Sequence, residues 1–432
     1  MDNYNKKYNE LLIEYKQLEA EYKKLNNQLF ILTNSRSYKL SKLISKIYKP
    51  IRNAKNLLTK KNIYIKKIQK FVNSNQKLVI IPCSFEFDEY VNQRPINFAK
   101  YFSNKGYNVL YIVWQWDKYT KVNNSYMNVY KNVFQIPLYD FLESNISYDN
   151  LAEKLFCINF PNEVFLDLAY TLRSDGFYVY YDIMDEWEEF QKVGQSDWYN
   201  KNVEESLIMT ADLVSAVSPY LVDKFNDIRH DILLSRNGFY MELTGLKSKN
   251  ISLKSINNNK INIGYFGHLT DSWFDWNMII DLAKNNNNYI FHIIGYGIPE
   301  KIEKEISNIN NIICYGKIPT SQLFNYVKDW NIGMIPFIES DLAKAVDPIK
   351  IYEYLYMGLP VIVSGIESVK NYPKTYYINS QDEFKQSIEL IVKNINNMEN
   401  IDKFLDESTW NARFEIILKA YKREGINILY EK

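Results

Sequence analysis

The run AVDPIKIYEYLYMGLPVIVS (345–364) holds the densest set of residues able to do chemistry in this chain. Asp347-Pro348 ends a loop, and proline suits the first turn of a helix, where its missing N–H is not needed. Lys350 and Glu353 stand three apart on that helix, so their side chains share one face near its N-terminus. Unpaired N–H groups and the positive end of the helix dipole attract an anion there. Lys350 adds a point charge for a phosphate, and Glu353 can accept two hydrogen bonds from a vicinal diol such as ribose. Gly358-Leu359-Pro360 then ends the helix and turns the chain into a buried strand. The competing reading is a surface Lys–Glu pair on an ordinary helix.

Such residues need a frame, and the sequence supplies an α/β one. From Lys77 onward, short apolar runs alternate with helical spacing, the pattern of parallel α/β domains. In the first half the strands are predicted at 78–83, 108–114, 133–138, 154–159, 178–184, 213–218 and 231–237, with helices at 89–105, 163–174 and 198–209. The polar stretch KSKNISLKSINNNK (247–260) interrupts the pattern as an interdomain linker. Strands resume at 261–267, 289–295, 311–316, 332–337 and 360–364. Helices are expected at 274–284, 300–308, 320–329, 349–357, 382–397 and 408–423. The division is therefore an N-terminal Rossmann-like domain at 77–246 and a C-terminal one with terminal helices at 261–432. Open α/β sheets bind ligands beyond the carboxyl ends of their strands, so two of them place a cleft between those ends.

The segments ahead of the domains differ in kind. Tyr4, Tyr8, Leu11, Tyr15, Leu18, Tyr22, Leu25, Leu29 and Leu32 recur at steps of four and three. That seam makes 1–32 a coiled coil, available to a second copy or a partner helix. A long helix lying on its own globular domain is the alternative, although it would want a wider apolar stripe. Residues 33–76 form a basic helical leader, and Tyr22 to Phe85 carries fifteen Lys/Arg and no Asp or Glu. Leu40, Leu43, Ile44 and Ile47 share a face ringed by lysines, which suits 33–70 to an anionic membrane surface. A solvated basic helix packed on the protein fits equally.

Composition closes other routes. With 432 residues, 46% of them hydrophobic and 24% charged, the chain can bury two or three cores and is not a disordered tail. The net charge of +1 hides a basic leader on an acidic body, which argues against a nucleic-acid partner for that body. Cys83, Cys157 and Cys314 sit in apolar runs, as reduced thiols do, and His230, His268 and His292 are too scattered for a metal motif. No apolar stretch reaches the ~18 residues of a membrane span, and the first ten residues are polar, unlike a signal peptide. A cytoplasmic protein, peripheral on the inner face of the membrane, is expected.

The run DPIKIYEYLYMGLPVIV, with YFGHLTDSWFD, IIGYG and NIICYGKIPTSQLFNYVKDWNIGMIPF before it, resembles the C-terminal domain of GT-B glycosyltransferases. The pattern is similar to bacterial members near glycosyltransferase family 4 that build capsule, teichuronic-acid and other surface glycans. QRPINFAKYFSNKGYNVLYI and YYDIMDEWEEF resemble that family's first domain, and LTNSRSYKLSKLI resembles a leader found ahead of such enzymes. The likeness spans roughly 78 to 425.

The resemblance assigns roles. Glu353 matches the second Glu of the Glu-x7-Glu motif, which holds the donor ribose; the first falls at Ala345 and is absent. Asp347, Pro348, Lys350 and Ile351 form the donor segment with Glu353, and Lys350 becomes the diphosphate candidate. Gly267 and His268 match the loop that approaches the diphosphate, where glycine lets backbone come close. The basic pair usual in the next segment is missing from HLTDSWFDW. Gly295-Tyr296-Gly297 lacks the third glycine of a dinucleotide fingerprint and is a strand-end turn. Asp182 and Asp185, at a strand end facing the cleft, are the catalytic candidates, to orient an acceptor hydroxyl or act as general base. Helix capping or a salt bridge is the other reading of them. Glu186 and Arg94 are acceptor-side candidates, Arg94 for a phosphate of a lipid-linked acceptor or as an ordinary surface residue.

The implied activity moves a sugar from a nucleotide-diphosphate donor to a surface glycan or its lipid-linked precursor. Retention at the anomeric carbon is implied, with the leaving phosphate helping to deprotonate the acceptor. No metal or other cofactor is expected, in keeping with the absence of an Asp-x-Asp motif. The alternatives are a non-catalytic scaffold assembling other enzymes through the coiled coil, and a sugar-nucleotide epimerase of the same fold.

Overall fold

The computed structural model describes residues 60–240, 260–393 and 401–430. The coiled coil expected at 1–32, the leader as far as residue 59 and the linker as far as residue 259 lie outside them. The chain divides at Ile68/Gln69, and the described residues before that point belong to the helix Lys60–Val72. Both sheets lie in the unit Gln69–Lys432.

Strands buried on both faces read as continuous apolar runs, because helices cover each side of a parallel sheet. β1 (Lys77–Cys83) and β2 (Asn108–Val113) pair in parallel, with Leu78–Cys83 and all of β2 buried. β3 (Met127–Tyr130), β4 (Val133–Pro137), β5 (Glu153–Ile158), β6 (Tyr178–Ile183), β7 (Leu213–Ala216) and β8 (Leu233–Leu234) complete the sheet. Its order is β3-β4-β2-β1-β5-β6-β7-β8, and β3 alone runs antiparallel to its neighbour. β3 has no predicted counterpart: it is an edge strand with Met127 and Asn128 exposed, so its composition carries no apolar signal. The strand expected at 231–237 contracts to two residues.

The second sheet has the order β11-β10-β9-β12-β13-β14. It is built from β9 (Ile261–His268), β10 (Tyr289–Tyr296), β11 (Ile312–Cys314), β12 (Ile332–Pro336), β13 (Val361–Ser364) and β14 (Thr375–Tyr377). All its pairings are parallel. Its core includes Ile263, Phe291, Ile335 and Val363 under the helix faces of Ile279, Tyr354 and Ile388.

Three helices frame the cleft or tie its two sides together: α1 (Arg94–Asn104), α2 (Ile349–Tyr356) and α3 (Trp410–Tyr430). α2 ends as its sequence predicts, with Gly358 in the left-handed region at φ 82° and its N–H bonded to Leu355 O. α3 runs from the second half back to the first. Sequence placed the terminal helices with the second domain, but α3 packs on α1 of the first. Phe414 meets Phe98 edge to face at 4.9 Å, and the Trp410 Nε1–H donates to Asn92 Oδ1 at 2.8 Å. Helical periodicity reveals an apolar face but not which body will cover it. No helix among the described residues is long and apolar enough to cross a membrane.

Candidate active site

The ends of β9, β10 and α2 enclose a cavity of about 490 Å³ with residues of the first half on its far side. β9 ends at Gly267 and His268, and the backbone at Gly267 and Gly295 leaves no room for a Cβ. Gly267 has φ 149°, and a Cβ on Gly295 would stand 1.8 Å from Gly267 O. The His268 ring stacks on Tyr296 at 4.9 Å. Pro348 stands at the cap of α2, one position earlier than its sequence predicts, and no side chain caps the helix. Its first N–H groups are therefore left at a wall formed by Pro348, Ile349 and Lys350.

Lys350 and Glu353 both face this cavity, so they are not a surface pair. Lys350 packs beside the rings of Tyr265 and Phe337, 5.2 and 5.6 Å from their centroids. Among the described residues no carboxylate comes within ion-pair distance of it. Burial pushes its ammonium down to about 8, opposed by the charge of Glu353. Burial pushes Glu353 up to about 7, offset by a hydrogen bond from Asn92 and by Lys350. That bond crosses the cleft: Asn92 Nδ2 donates to Glu353 Oε1 at 2.8 Å. An unpaired cation at a helix N-terminus, one turn from a carboxylate that accepts hydrogen bonds, can hold a phosphate and a diol together.

A larger cavity of about 1100 Å³ adjoins it, sharing Val91, Gln93, Met184, Asp185, Tyr296 and Lys317. Asp185 sits at this junction and makes no side-chain hydrogen bond among the described residues. Burial raises its carboxyl to about 7, with Arg94 opposing and Asp182 and Glu186 reinforcing. A carboxylate so poised can accept the hydrogen of a reacting hydroxyl near neutral pH.

The other predicted residues are placed differently. Asp182 does not face the cleft. It is fully buried, and each of its oxygens takes two donors: Arg94 at 2.9 Å and Ser215 at 2.8 Å on Oδ1, Arg94 at 2.6 Å and Asn159 at 2.8 Å on Oδ2. With its lone pairs so occupied it is a structural anion, not a base. Arg94 is 2% exposed and spends its remaining donors on Ser235, the Arg236 carbonyl and Asn237, which leaves nothing for an acceptor phosphate. Glu186 is buried against Lys224 at 2.5 Å and lines neither cavity. Ile351 is a core residue at 0% exposure, on the inner face of α2. Asp347 lines the cavity, but its carboxylate is taken by the Asn237 N–H at 2.6 Å and by the hydroxyls of Tyr352 and Tyr372. Its backbone oxygen accepts from Asn237 Nδ2 at 2.7 Å, so Asp347 clamps the second half to the first.

The Arg94–Asp182 pair carries a stability prediction. Removing one partner of a fully desolvated pair strands the other as a buried charge, which costs about 3–5 kcal/mol. Arg94→Ala should therefore lower the urea midpoint of unfolding far more than Lys304→Ala, whose pair with Glu300 is exposed. Equal midpoints for the two variants would contradict this.

Sequence reasoning missed Asn92, Asn237 and Lys317. The first two act across the cleft, through contacts that no local pattern encodes. Lys317 follows Gly316 at the end of a strand, and a cation leaving a strand's carboxyl end was the available signal. Among the described residues, no group of three or more His, Cys, Asp or Glu side chains could hold a metal.

Two α/β sheets, parallel but for the edge strand β3, facing one cleft with an open helix N-terminus on the second, define the GT-B fold. The chain resembles solved proteins of that fold throughout its globular part. Sucrose-phosphate synthase from Thermosynechococcus elongatus superposes with a TM-score of 0.60 at 12% identity, over 82% of this chain and 100% of that one. HepE from Anabaena, in complex with UDP and glucose, superposes at 0.56 with 12% identity, over 80% of this chain and 100% of that one. In sequence, the chain is 27% identical over 187 residues to a Bacillus subtilis protein named "Putative teichuronic acid biosynthesis glycosyltransferase TuaH". That match covers 41% of this chain and 46% of the relative, less than half its length. No family model matches.

Proposed function

We propose that this protein is a glycosyltransferase that moves a sugar from a nucleotide-diphosphate donor to a hydroxyl of a bacterial surface glycan or its lipid-linked precursor. One observation carries the reading: Lys350, without an ion-pair partner among the described residues and beside the uncapped N-terminus of α2, shares its cavity with Glu353. The diphosphate would meet Lys350, the first N–H groups of α2 and the backbone at Gly267. Glu353 would exchange the Asn92 amide for the ribose hydroxyls. Negative charge develops on the departing phosphate, and groups already fixed there stabilise it without reorganising. No metal or other cofactor is needed for that step.

In this proposal the bond from the anomeric carbon to the phosphate oxygen breaks as the bond to the acceptor oxygen forms. Configuration is retained, and the acceptor proton passes to the departing phosphate. Asp185 would hold the acceptor sugar by accepting a hydrogen bond from a neighbouring hydroxyl, which leaves the reacting hydroxyl's own hydrogen free for the departing phosphate. The basic stretch 33–70 would keep the protein on the inner, anionic face of the membrane, and 1–32 would join it to a second copy; both readings rest on sequence patterning.

Thermal unfolding with UDP, GDP, CDP and dTDP tests the donor site, since a ligand of the native state must raise its stability. The HepE complex makes UDP the first to try. Stabilisation of about 2.7 kcal/mol is expected at a hundredfold excess over Kd. Glu353→Ala should abolish most of it. A non-catalytic scaffold, the alternative raised by Ala345, predicts no stabilisation by any nucleotide.

A further inference from the structure

The larger cavity has an uneven charge that limits what can enter it. Its floor carries the rings of Phe160 and Trp187, 5.3 Å apart, and its rim carries Asn123, Asn124 and Asn128. Aromatic faces and amides suit the C–H faces and hydroxyls of a sugar. Four carboxylates also line it: Glu86, Asp88, Glu89 and Asp185. None of them is in an ion pair among the described residues. Glu86 is bonded to Asn123 at 3.0 Å, and Asp88 to the Tyr90 N–H at 3.0 Å, contacts that bring no positive charge to either.

The cations nearby do not offset this. Lys317 is the one lysine or arginine among the described residues of the lining, and it comes from the second half, 5.3 Å from the Tyr296 ring at the junction with the donor cavity. Arg94 is spent on Asp182. Lys100 is turned to the Glu89 carbonyl at 2.5 Å and to the rings of Tyr130 and Tyr240. Away from Lys317 at the junction, a phosphate or carboxylate would face like charges without a partner, and that repulsion disfavours it.

We propose that the acceptor's reacting end is a hydroxyl-rich sugar that bears neither phosphate nor carboxylate. This deepens the glycosyltransferase reading and rests on it. Arg94 and Lys100 of the first half are turned to other partners, while the acidic residues of the lining meet no cation in an ion pair among the described residues.

The test uses the full chain with the UDP-sugar that stabilises it. Matched methyl glycosides of the gluco, galacto, manno and N-acetylglucosamine series are compared with their 6-phosphates and uronides. At least tenfold higher kcat/KM is expected for the uncharged members. In the triple variant E86Q/D88N/E89Q that preference should shrink severalfold. A phosphate or uronide used as well as its neutral counterpart overturns the proposal, and so does a preference unchanged in the triple variant. Binding of nucleotide without transfer to any glycoside would overturn the cavity as the acceptor site. Failure to bind any nucleotide is a separate outcome: it defeats the glycosyltransferase reading itself and takes this inference with it.

Discussion

Lys350→Ala should lower kcat/KM by about 10²- to 10³-fold, the range seen when one preorganised donor to a developing oxyanion is removed. The size comes from the setting. Lys350 has no carboxylate in ion-pair contact among the described residues, and burial has already pushed it down to about 8. A diphosphate would supply the missing partner in a half-buried wall where water screens it less, so the charge counts for more than it would at a surface. The loss should fall on kcat as well as on nucleotide affinity, because the phosphate gains charge as the sugar leaves. Lys350→Arg should restore little. A planar guanidinium presents its charge and its donors in a different geometry from a compact ammonium, so the exchange is not conservative at such a site. Steady-state kinetics and nucleotide titration of both variants decide this; a loss confined to KM would mean that Lys350 binds the ground state and transition state alike.

The second large effect is expected at Asp185. Asp185→Asn keeps the shape but cannot accept the acceptor's hydrogen in the same way, and kcat should fall about 10²-fold, as misplacement of a reacting group does. The pH dependence carries more detail. Asp185 and Glu353, both raised to about 7, must be ionised to accept hydrogen bonds. Lys350, lowered to about 8, must be protonated. The kcat/KM profile should therefore rise through pH 7 and fall above pH 8. Two acids titrating together make the rising limb steep, with a slope approaching two. In Asp185→Asn that slope should drop towards one while the alkaline limb stays. An unchanged acid limb would remove Asp185 from the mechanism. A loss nearer 10⁴-fold, with inverted product, would instead make Asp185 the base itself.

Much of the frame was legible because its physics is local. LVIIPC and the VIV of PVIVS are apolar throughout, and YIFHIIG is interrupted only by His292, since a central parallel strand is covered on both faces. The α2 segment was legible for a similar reason: its loop, its helical spacing and the Gly358 stop are all encoded within twenty residues. The edge strands β3 and β14 were not, being short and half exposed. Nor was the return of α3 to α1, because an aromatic face at 410–414 states only that it will be buried.

The candidate site divides along the same line. By itself, the sequence determined that Lys350 and Glu353 share one helix face near an N-terminus and that glycine stands where β9 meets the cleft. Those are consequences of helical pitch and of the space a Cβ requires. Only the tertiary structure decided which acids are free. Asp182 and Asp185 are three residues apart and look alike in the sequence, yet Arg94, Ser215 and Asn159 consume every acceptor of the first, while the second meets no donor among the described residues. It also decided that Asn92 answers Glu353 across the cleft, and that Asp347 is a clamp rather than a ligand. Hydrogen-bond satisfaction is settled by neighbours far away in sequence, and so the free carboxylate could be told from the bound one only after the chain had folded.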